Sequence, residues 1–535
     1  MRSLAPEPRR VSVARAGIAA GIALLAFGLL FWRIGAYPLT DGDAGFYGRV
    51  ARNILETGEW GVLRFDPVHP TSDVDKPPLA IWVTAIVFRL LGPTDFAARL
   101  WHSLAALAVV GVTAALAFRV SGRRAALVAA TVLLTSGLFF YQAREPMLDV
   151  PLTLCLIAML WLMAAAGRPR FWPRYYGACL LVGLGVMIKG PVAAALAAGP
   201  VAMTILRARR REQTTPSRLA IRVLLGLGVI VLVALPWHLW VLSKAGITFF
   251  DTYAGTLSWR RYLNPQFPPG VAVLPYALFV LAGLLPWAGL AIPALWSGCR
   301  EGRSQPPIGL LCVYILCAIG FFGLSPGQIV GRYLLPVIPA FAVLIGVWLD
   351  RLHGEAVRGA ALATIIVGAL LAPLGAYLGH VDAGHAGGVI RVFLFLLAAA
   401  MVGGGVVLWQ LRLRAGVAVL AGGAAVAYLV LLVLALPVVV ALYPERALAE
   451  RINQTEGTHA RVAVFRAGSI EPMLSFYLDA RLERLATAED LARFLSRPQG
   501  AWIVERPEAP LPPALRRTLD VVADCGRAVL LRTKR

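Results

Sequence analysis

The chain has 535 residues, of which 59% are hydrophobic, and its mean hydropathy is +0.72. Apolar runs recur almost to the C-terminus, which excludes a soluble globular protein and predicts a polytopic membrane protein. The net charge of +22 comes mostly from short basic clusters between apolar runs. This pattern is typical of cytoplasmic loops, so we predict a lipid bilayer and no nucleic acid as the partner.

The first apolar run, residues 12–32, follows three arginines and shows no cleavage signal, so we interpret it as a retained anchor that starts in the cytoplasm. The next apolar stretch, Leu79 to Leu91, is shorter than the roughly 20 residues that a spanning helix needs. We therefore predict that it lies in the membrane interface, within a first periplasmic loop of about residues 36–98. Later arginine clusters then all fall in the cytoplasm, with about thirteen spans and a periplasmic C-terminus.

The composition changes after Tyr443 to that of an ordinary soluble segment. Short apolar runs at 462–465 and 501–504 alternate with helical patterns near 470–478 and 487–496. We therefore predict two domains: an all-α transmembrane domain over residues 1–442 and a small periplasmic α/β domain over residues 443–535. Two roles remain open for the second domain, which are receiving an acceptor and stabilising the first domain.

Charged residues stand out in the first loop. Asp41 and Asp43 precede a helical pattern whose apolar positions suit a helix lying on the membrane interface. Either aspartate would serve as an N-cap, but a cap accounts for only one of the two. Lys76 precedes two prolines, which keep the backbone extended and orient the ammonium group. A lipid headgroup contact and a catalytic role are equally compatible with that lysine.

Two further charges lie at predicted span ends. Asp149, two residues before Pro151, fits an N-cap as well as a functional carboxylate. Lys189 precedes a Gly-Pro pair that would break a helix. Its ammonium group either has a function or only extends to the lipid headgroups. His380 and His385 flank Asp382 in a glycine-rich loop, a pattern more typical of solvated side chains than of a metal site.

A series of motifs over nearly the whole chain resembles bacterial membrane glycosyltransferases of the protein-mannosyltransferase type, and in particular the lipid A aminoarabinose transferase group. The motifs are Asp43 with Tyr47, Asp75-Lys76-Pro77-Pro78-Leu79, Met147 to Pro151, Lys189 to Val192, Leu235-Pro236-Trp237 and Arg332 to Pro336. The resemblance implies a GT-C fold in the bacterial inner membrane. It also implies inverting transfer of a sugar from a polyprenyl-phosphate donor to lipid A, lipopolysaccharide core, another glycolipid or a protein.

The resemblance also implies roles for individual residues. Asp43 matches the first acid of the family's Asp-Glu pair and is the expected base that accepts the acceptor proton. A leaving phosphate gains charge in the transition state, so cations stabilise it there more than in the ground state. The expected residues are Asp43 and Asp149 for catalysis; Lys76, Arg261 and Arg332 for the donor phosphate; and Asp41, Tyr47, Asp75, Lys189 and Tyr333 for substrate binding.

The chain departs from the family pattern at two places. Ala44 stands where the family has its second acid, so Asp41 is left to take over any function of that glutamate. Asp75 and Ser258 occupy the positions of a glutamate and a histidine that some relatives have. We therefore predict no metal and no other cofactor, and we expect a monomer.

Two other function classes compete with an enzyme. A flippase for a lipid-linked sugar would also need cations to bind the phosphate. A flippase would, however, have ionisable residues near the middle of its spans and two repeated halves. The charges here cluster at one face, and no repeat is evident. A signalling or scaffold protein with a periplasmic sensor domain leaves the loop carboxylates unexplained.

Overall fold

The structure is a computed structural model. It describes residues 9–66, 76–165, 171–212, 215–250, 253, 260–263, 266, 268, 270–325, 327, 329–351, 355–381, 385–466, 468, 470–497 and 499–534. The side chains of 9–16, 18, 211–212, 247–250, 260–261 and 385 lie outside the description.

A bundle of helices forms the larger part of the molecule. Its helices are α1 (Arg9–Leu30), α2 (Gly42–Thr57), α3 (Leu79–Leu91), α4 (Asp95–Ser121), α5 (Arg123–Leu134), α6 (Gly137–Gln142), α7 (Asp149–Met163), α8 (Phe171–Lys189), α9 (Val192–Glu212), α10 (Pro216–Phe250), α11 (Arg260–Leu263), α12 (Val273–Gly283), α13 (Ala288–Glu301), α14 (Pro306–Leu324), α15 (Ile338–Arg351), α16 (Glu355–Val381), α17 (His385–Trp409) and α18 (Leu413–Leu442). A 3-10 helix, Gly331–Val337, leads into α15.

The apolar helices confirm a polytopic membrane protein. Within the described ranges, 9 helices are long and apolar enough to cross a membrane, or up to 10 if the pair α12 and α13, bent by 115°, forms one span. Helix α3 has 13 residues and falls in a shorter class, together with α7 and part of α1. The predicted number of about thirteen spans therefore stays a prediction.

A smaller unit, which we call the sheet unit, follows the bundle. It consists of α19 (Glu445–Glu456), β1 (Val462–Phe465), α20 (Ile470–Tyr477), β2 (Leu482–Leu485), α21 (Ala488–Leu495), β3 (Trp502–Glu505), α22 (Pro513–Arg516), β4 (Leu519–Asp524) and β5 (Val529–Thr533). The strand order is β2-β1-β3-β5-β4.

The first three strands of the sheet are parallel, and β5 pairs antiparallel with both β3 and β4. Helices α20 and α21 connect the parallel strands, as crossovers between parallel strands require. Thr487 and Asp490 form a capping box at the start of α21, which explains why the helical pattern could be read from the sequence. The alternation of strands and helices agrees with the predicted α/β architecture.

Helix α2 forms where the sequence predicted a helix, but its surroundings differ from the prediction. Tyr47, Val50 and Ile54 are 7%, 0% and 2% exposed and belong to the core of the bundle, so the predicted placement of this face on the membrane interface is wrong. A Cβ added to Gly45 would lie 2.8 Å from the backbone of Met473 in α20, because the two helices pack closely there. Periodicity identifies an apolar face, but it does not say what covers that face.

Candidate active site

Arg332 binds two carboxylates of the first loop. The 3-10 helix carries this arginine beside the start of α2, where its two terminal nitrogens point at different aspartates. Nη1 lies 2.8 Å from Asp41 Oδ2, and Nη2 lies 2.5 Å from Asp43 Oδ2. The Asp43 side chain is 51% exposed, whereas that of Asp41 is 26% exposed. The planar guanidinium therefore fixes the geometry of both acids while Asp43 stays open to solvent.

The two aspartates differ in their local roles. Asp41 is the N-cap of α2, because its Oδ1 accepts a hydrogen bond of 2.9 Å from the backbone N–H of Asp43. Asp43 lies within the first turn of α2 and does not cap it. The cap thus accounts for one aspartate of the pair, and the second keeps a solvent-exposed oxygen close to a helix N-terminus, where negative charge is favoured.

A second ion pair lies next to this cluster. Lys189 Nζ donates to Asp149 Oδ1 at 2.5 Å and lies 4.6 Å from the centre of the Tyr333 ring. The N-cap of α7 is Leu148 rather than Asp149, so the ion pair, and not helix capping, occupies this carboxylate. Asp149 also interacts electrostatically with Arg332, which connects the two ion-paired groups.

The helix ends explain how Lys189 comes to face Asp149. Helix α8 ends at Lys189, and Gly190 follows with a φ of 77°. This conformation favours glycine and interrupts the helix before Pro191. The reversal leaves the lysine at the tip of α8, against the first turn of α7. A Cβ on Gly190 would lie 2.9 Å from the hydroxyl oxygen of Tyr253, so the space beside the lysine is closely filled.

Glu145 belongs to the same region, although the sequence offered no separate role for it. Its Oε1 accepts a hydrogen bond of 3.0 Å from the Thr40 hydroxyl, one residue before Asp41. The side chain is only 3% exposed, and its Oε2 has no hydrogen-bond partner among the described residues. Burial raises the pKa of Glu145, and the nearby Arg99 guanidinium opposes that shift.

Arg144, which precedes Glu145, holds two parts of the fold together. It is 2% exposed and donates hydrogen bonds to the carbonyls of Leu29 and Trp32 at 2.9 and 2.8 Å. Leu29 belongs to the last turn of α1, where a helix leaves carbonyl groups without partners, and Trp32 lies just beyond the helix end. Arg144 therefore anchors the first helix to the bundle.

Sequence reasoning missed a buried network behind the carboxylates. Asp95 and Arg99 occupy positions i and i+4 of α4, and the Arg99 side chain is fully buried. Charges at the entrance of an otherwise apolar span are costly and usually paired, and that signal was available in the sequence. Tyr477 of the sheet unit also reaches this network, and no sequence pattern marked it.

The remaining predicted site residues have different positions. Lys76 is partly buried and lies just before α3, and Tyr47 is buried in α2. The backbone of Arg261 belongs to α11, while its side chain lies outside the description. Asp75, Ser258 and Asp382 also lie outside the described residues. Within the described part of the chain, no group of three or more His, Cys, Asp or Glu residues is placed to hold a metal ion.

Comparison with known proteins agrees with the motifs. Residues 75–240 match the family model described as dolichyl-phosphate-mannose-protein mannosyltransferase. The resemblance to membrane glycosyltransferases of this type, which the motifs indicated, is therefore confirmed.

Curated relatives carry a more specific name, undecaprenyl phosphate-alpha-4-amino-4-deoxy-L-arabinose arabinosyl transferase. The protein from Pectobacterium carotovorum subsp. carotovorum is 27% identical over 62% of this chain and 59% of its own length. A protein from Sodalis glossinidius, numbered 1 in its name, is 29% identical over 58% of this chain and 55% of its own length. The matched part of this chain thus spans less than two thirds of either relative.

Solved structures establish the fold over nearly the whole chain. ArnT from Cupriavidus metallidurans bound to undecaprenyl phosphate superposes with a TM-score of 0.79 at 24% identity, covering 97% of this chain and 98% of that chain. The apo state of the same protein gives a TM-score of 0.78 at 23% identity with the same coverage. The chain therefore has the fold of ArnT, sheet unit included.

Proposed function

We propose that this protein is an inverting glycosyltransferase that transfers a sugar from a polyprenyl-phosphate donor to an acceptor at the periplasmic face of the bacterial inner membrane. The acceptor is lipid A, lipopolysaccharide core, another glycolipid or a protein. The observation that carries the proposal is the Arg332 cluster, which holds a half-exposed Asp43 beside a second ion pair. The names of the relatives, which act with undecaprenyl-phosphate-linked aminoarabinose, support this donor class.

The proposed reaction is a single displacement at the anomeric carbon. The acceptor oxygen forms the new bond to this carbon while the bond from the carbon to the phosphate oxygen breaks, which inverts the configuration. The acceptor proton passes to Asp43, whose exposed oxygen is available to a substrate. The electron pair of the broken bond stays on the phosphate, which leaves as the polyprenyl phosphate.

Cations stabilise the leaving phosphate in this proposal. We assign that role to Lys76 and Arg261. Arg332 has two proposed roles, because it binds the two carboxylates and also stabilises the phosphate. Arg332 uses one hydrogen bond from each terminal nitrogen to bind Asp41 and Asp43. A guanidinium carries five N–H groups, so it has donors left for a phosphate while it holds both acids. Its first function is therefore to hold the two acids, and the second is electrostatic stabilisation of the developing charge.

Asp149 and Lys189 complete the proposed site. Lys189 and Asp149 form an ion pair at 2.5 Å, and the lysine ammonium lies against the Tyr333 ring. We propose that this ring faces the substrate. We assign substrate contacts to Tyr333, Lys189 and Asp41, and also to Tyr47 and Asp75. Asp149 orients Lys189 and thereby acts on the catalytic geometry.

We also propose the arrangement of the chain in the membrane. The N-terminus lies in the cytoplasm, about thirteen segments cross the bilayer, and residues 443–535 form a periplasmic domain of a monomeric enzyme. The support is the series of arginine clusters between apolar helices, which this orientation keeps in the cytoplasm.

The first experiment identifies the substrates. Mass spectrometry of envelope lipids and glycans from a deletion strain, compared with the parent strain, is expected to reveal the loss of one sugar from one acceptor. An unchanged envelope would contradict the proposed transferase activity.

The second experiment tests Asp43 with the full-length protein in reconstituted vesicles. Asp43→Asn keeps a similar shape but removes the base, so transfer is expected to fall by about 10²- to 10⁴-fold. Asp520→Asn, an exposed change in β4, is the matched control and is expected to retain activity. Unchanged transfer by Asp43→Asn would exclude Asp43 as the base, whereas lipid translocation without any transfer product would favour a flippase.

A further inference from the structure

The segment before the two carboxylates, residues 34–40, is held by buried protein groups. Arg99, whose side chain is fully buried, donates hydrogen bonds to three backbone carbonyls of this segment. The acceptors are Ile34 at 3.2 Å and Tyr37 and Pro38 at 2.8 Å each. A buried guanidinium with several charge-assisted bonds is costly to move. The backbone up to residue 38 is therefore fixed relative to α4.

Tyr477 of the sheet unit fixes the next residue of the segment. Its hydroxyl accepts a hydrogen bond of 2.7 Å from the backbone N–H of Leu39 and donates one of 2.5 Å to Asp95 Oδ1. Asp95 lies 3.7 Å from Arg99 through Oδ1 and 3.2 Å from Arg446 through Oδ2. One hydroxyl thus connects the sheet unit, the backbone of the segment and the buried network of α4.

Thr40 and Glu145 hold the segment on the other side. The Thr40 hydroxyl donates to Glu145 Oε1 at 3.0 Å, and the same oxygen lies 3.8 Å from Arg99 Nη2. Tyr477 thus holds Leu39, and Glu145 holds Thr40. Glu145 lies beside Arg99, and Tyr477 binds Asp95, which pairs with Arg99. The chain then enters Asp41, which caps α2 and binds Arg332.

From this arrangement we propose that Tyr477 is a positioning residue for the transfer reaction, which sets the place of Asp41 and Asp43 through Leu39, Asp95 and Arg99. The proposal rests on the proposed function, because it assigns to the sheet unit a part in placing the base. A misplacement of about 1 Å costs on the order of 10²-fold in rate when a reacting group must meet its partner. Because Tyr477 holds the backbone two residues before Asp41, we expect the loss of its hydroxyl to displace the aspartates enough to lower the rate.

Attachment of the sheet unit depends on other contacts. Arg52 Nη2 lies 3.3 Å from Asp479 Oδ1, and Arg481 Nη2 lies 2.8 Å from Asp66 Oδ2. A Cβ on Gly48 would lie 2.8 Å from the Phe476 ring, which shows how closely α2 meets α20. These contacts remain when only the Tyr477 hydroxyl is removed, so positioning can be separated from attachment.

The test compares Tyr477→Phe with Asp479→Asn, both in the full-length protein in reconstituted vesicles with the donor and acceptor found by the envelope analysis. The phenylalanine keeps the ring and removes the hydroxyl, whereas the asparagine removes the charge of one attaching ion pair. Transfer is measured as kcat and KM, and the number of donor-binding sites is measured with a labelled polyprenyl phosphate. Expressing kcat per binding site corrects for any protein that has lost its fold.

Tyr477→Phe is expected to lower kcat per site by about tenfold or more, with KM for the donor and the number of sites unchanged within about twofold. Asp479→Asn is expected to keep kcat per site. An unchanged kcat per site in Tyr477→Phe would overturn the proposal. A loss of binding sites that accounts for the whole loss of activity would also overturn it, because Tyr477 would then serve attachment alone.

A double-variant cycle adds a second readout. Thr40→Val removes the contact with Glu145, which holds the same segment from the other side. If both contacts act through one backbone position, Tyr477→Phe lowers kcat per site less in the Thr40→Val background than in the native protein. Strictly multiplicative effects would overturn the proposal. Loss of transfer by Asp43→Asn together with an unaffected Tyr477→Phe would refute the positioning role and leave the proposed function standing.

Discussion

The two ends of one continuous helical segment carry arginines that bind different numbers of carboxylates. Arg332 lies in the 3-10 helix that leads into α15, and Arg351 is the last residue of α15. Arg351 binds a single carboxylate, Glu301, at 2.6 Å, and its remaining bonds go to Ser121 and the carbonyl of Val120. Arg332 binds two carboxylates, one of which is half exposed.

The difference separates a structural ion pair from one to which we assign a function. Glu301 and Arg351 balance each other and connect the ends of α13 and α15 with the end of α4, where Ser121 also donates to Asp350. At the Arg332 end, two acids share one guanidinium, so the group carries excess negative charge with an oxygen directed to solvent. Direct binding of two carboxylates by one guanidinium, with one of the two half exposed, therefore distinguishes the candidate site from the Arg351 end.

Among the changes that compare the two ends, removing Arg332 is expected to have the largest effect on activity. Arg332→Ala releases both Asp41 and Asp43 and removes a cation from the proposed phosphate region, so kcat is expected to fall by about 10²- to 10³-fold. The unfolding temperature should change little, because both carboxylates already reach water. Activity in vesicles and thermal unfolding in detergent are the two measurements. Retained activity would remove the functional distinction between the two ends.

Breaking the Asp149–Lys189 pair is expected to affect both activity and stability. Lys189→Met leaves the Asp149 carboxylate, which is 2% exposed, without its cation. Removing one partner of a buried pair costs about 3–5 kcal/mol, so the unfolding temperature is expected to fall. The double variant Asp149→Leu with Lys189→Met should regain stability but not transfer. Recovery of transfer by the double variant would show that this pair is structural, like that of Arg351.

Arg351→Ala tests the structural end. It removes the bonds to Glu301, Ser121 and Val120, and loss of these bonds at a partly exposed position is expected to cost about 1–3 kcal/mol. Because Arg351 lies at the far end of α15, kcat per folded molecule should stay within about twofold of the native value. A selective loss of kcat with unchanged thermal unfolding would contradict the contrast between the ends.

The smallest expected effect is on the pH dependence of stability, and it involves Glu445. Burial raises the pKa of this carboxyl group from 4.5 to about 7 in the folded protein. The folded state thus retains a proton that the unfolded state loses, so the stabilising contribution is complete below pH 4.5 and is lost as the pH rises to about 7. Glu445→Gln should abolish this part of the pH dependence of the unfolding temperature. An unaltered pH dependence in Glu445→Gln would assign it to another acid.

Parts of this architecture could be predicted because they depend on local chemistry. The alternation of strands and helices in the sheet unit, the capping role open to Asp41 and the break after Lys189 all follow from neighbouring residues. The motif order also indicated which residues belong to the candidate site.

The remaining features depend on contacts between distant parts of the chain. Arg332 and Asp43 are 289 positions apart, and Tyr477 and Leu39 are 438 apart. Periodicity reports a face of α2 but not that α20 and the bundle cover it, so the interfacial placement was wrong. The charges of α4 were a usable signal, since an i, i+4 acid and arginine at the start of an apolar helix indicate a buried network.

The separation of 438 positions between Leu39 and Tyr477 also bears on biogenesis. At translation rates of about 5–20 residues per second, Leu39 is made roughly 20 to 90 s before Tyr477. During that interval the nascent chain contains both aspartates but lacks the hydroxyl that binds the backbone of Leu39. The helices between the first loop and the sheet unit are therefore made before the candidate site is complete.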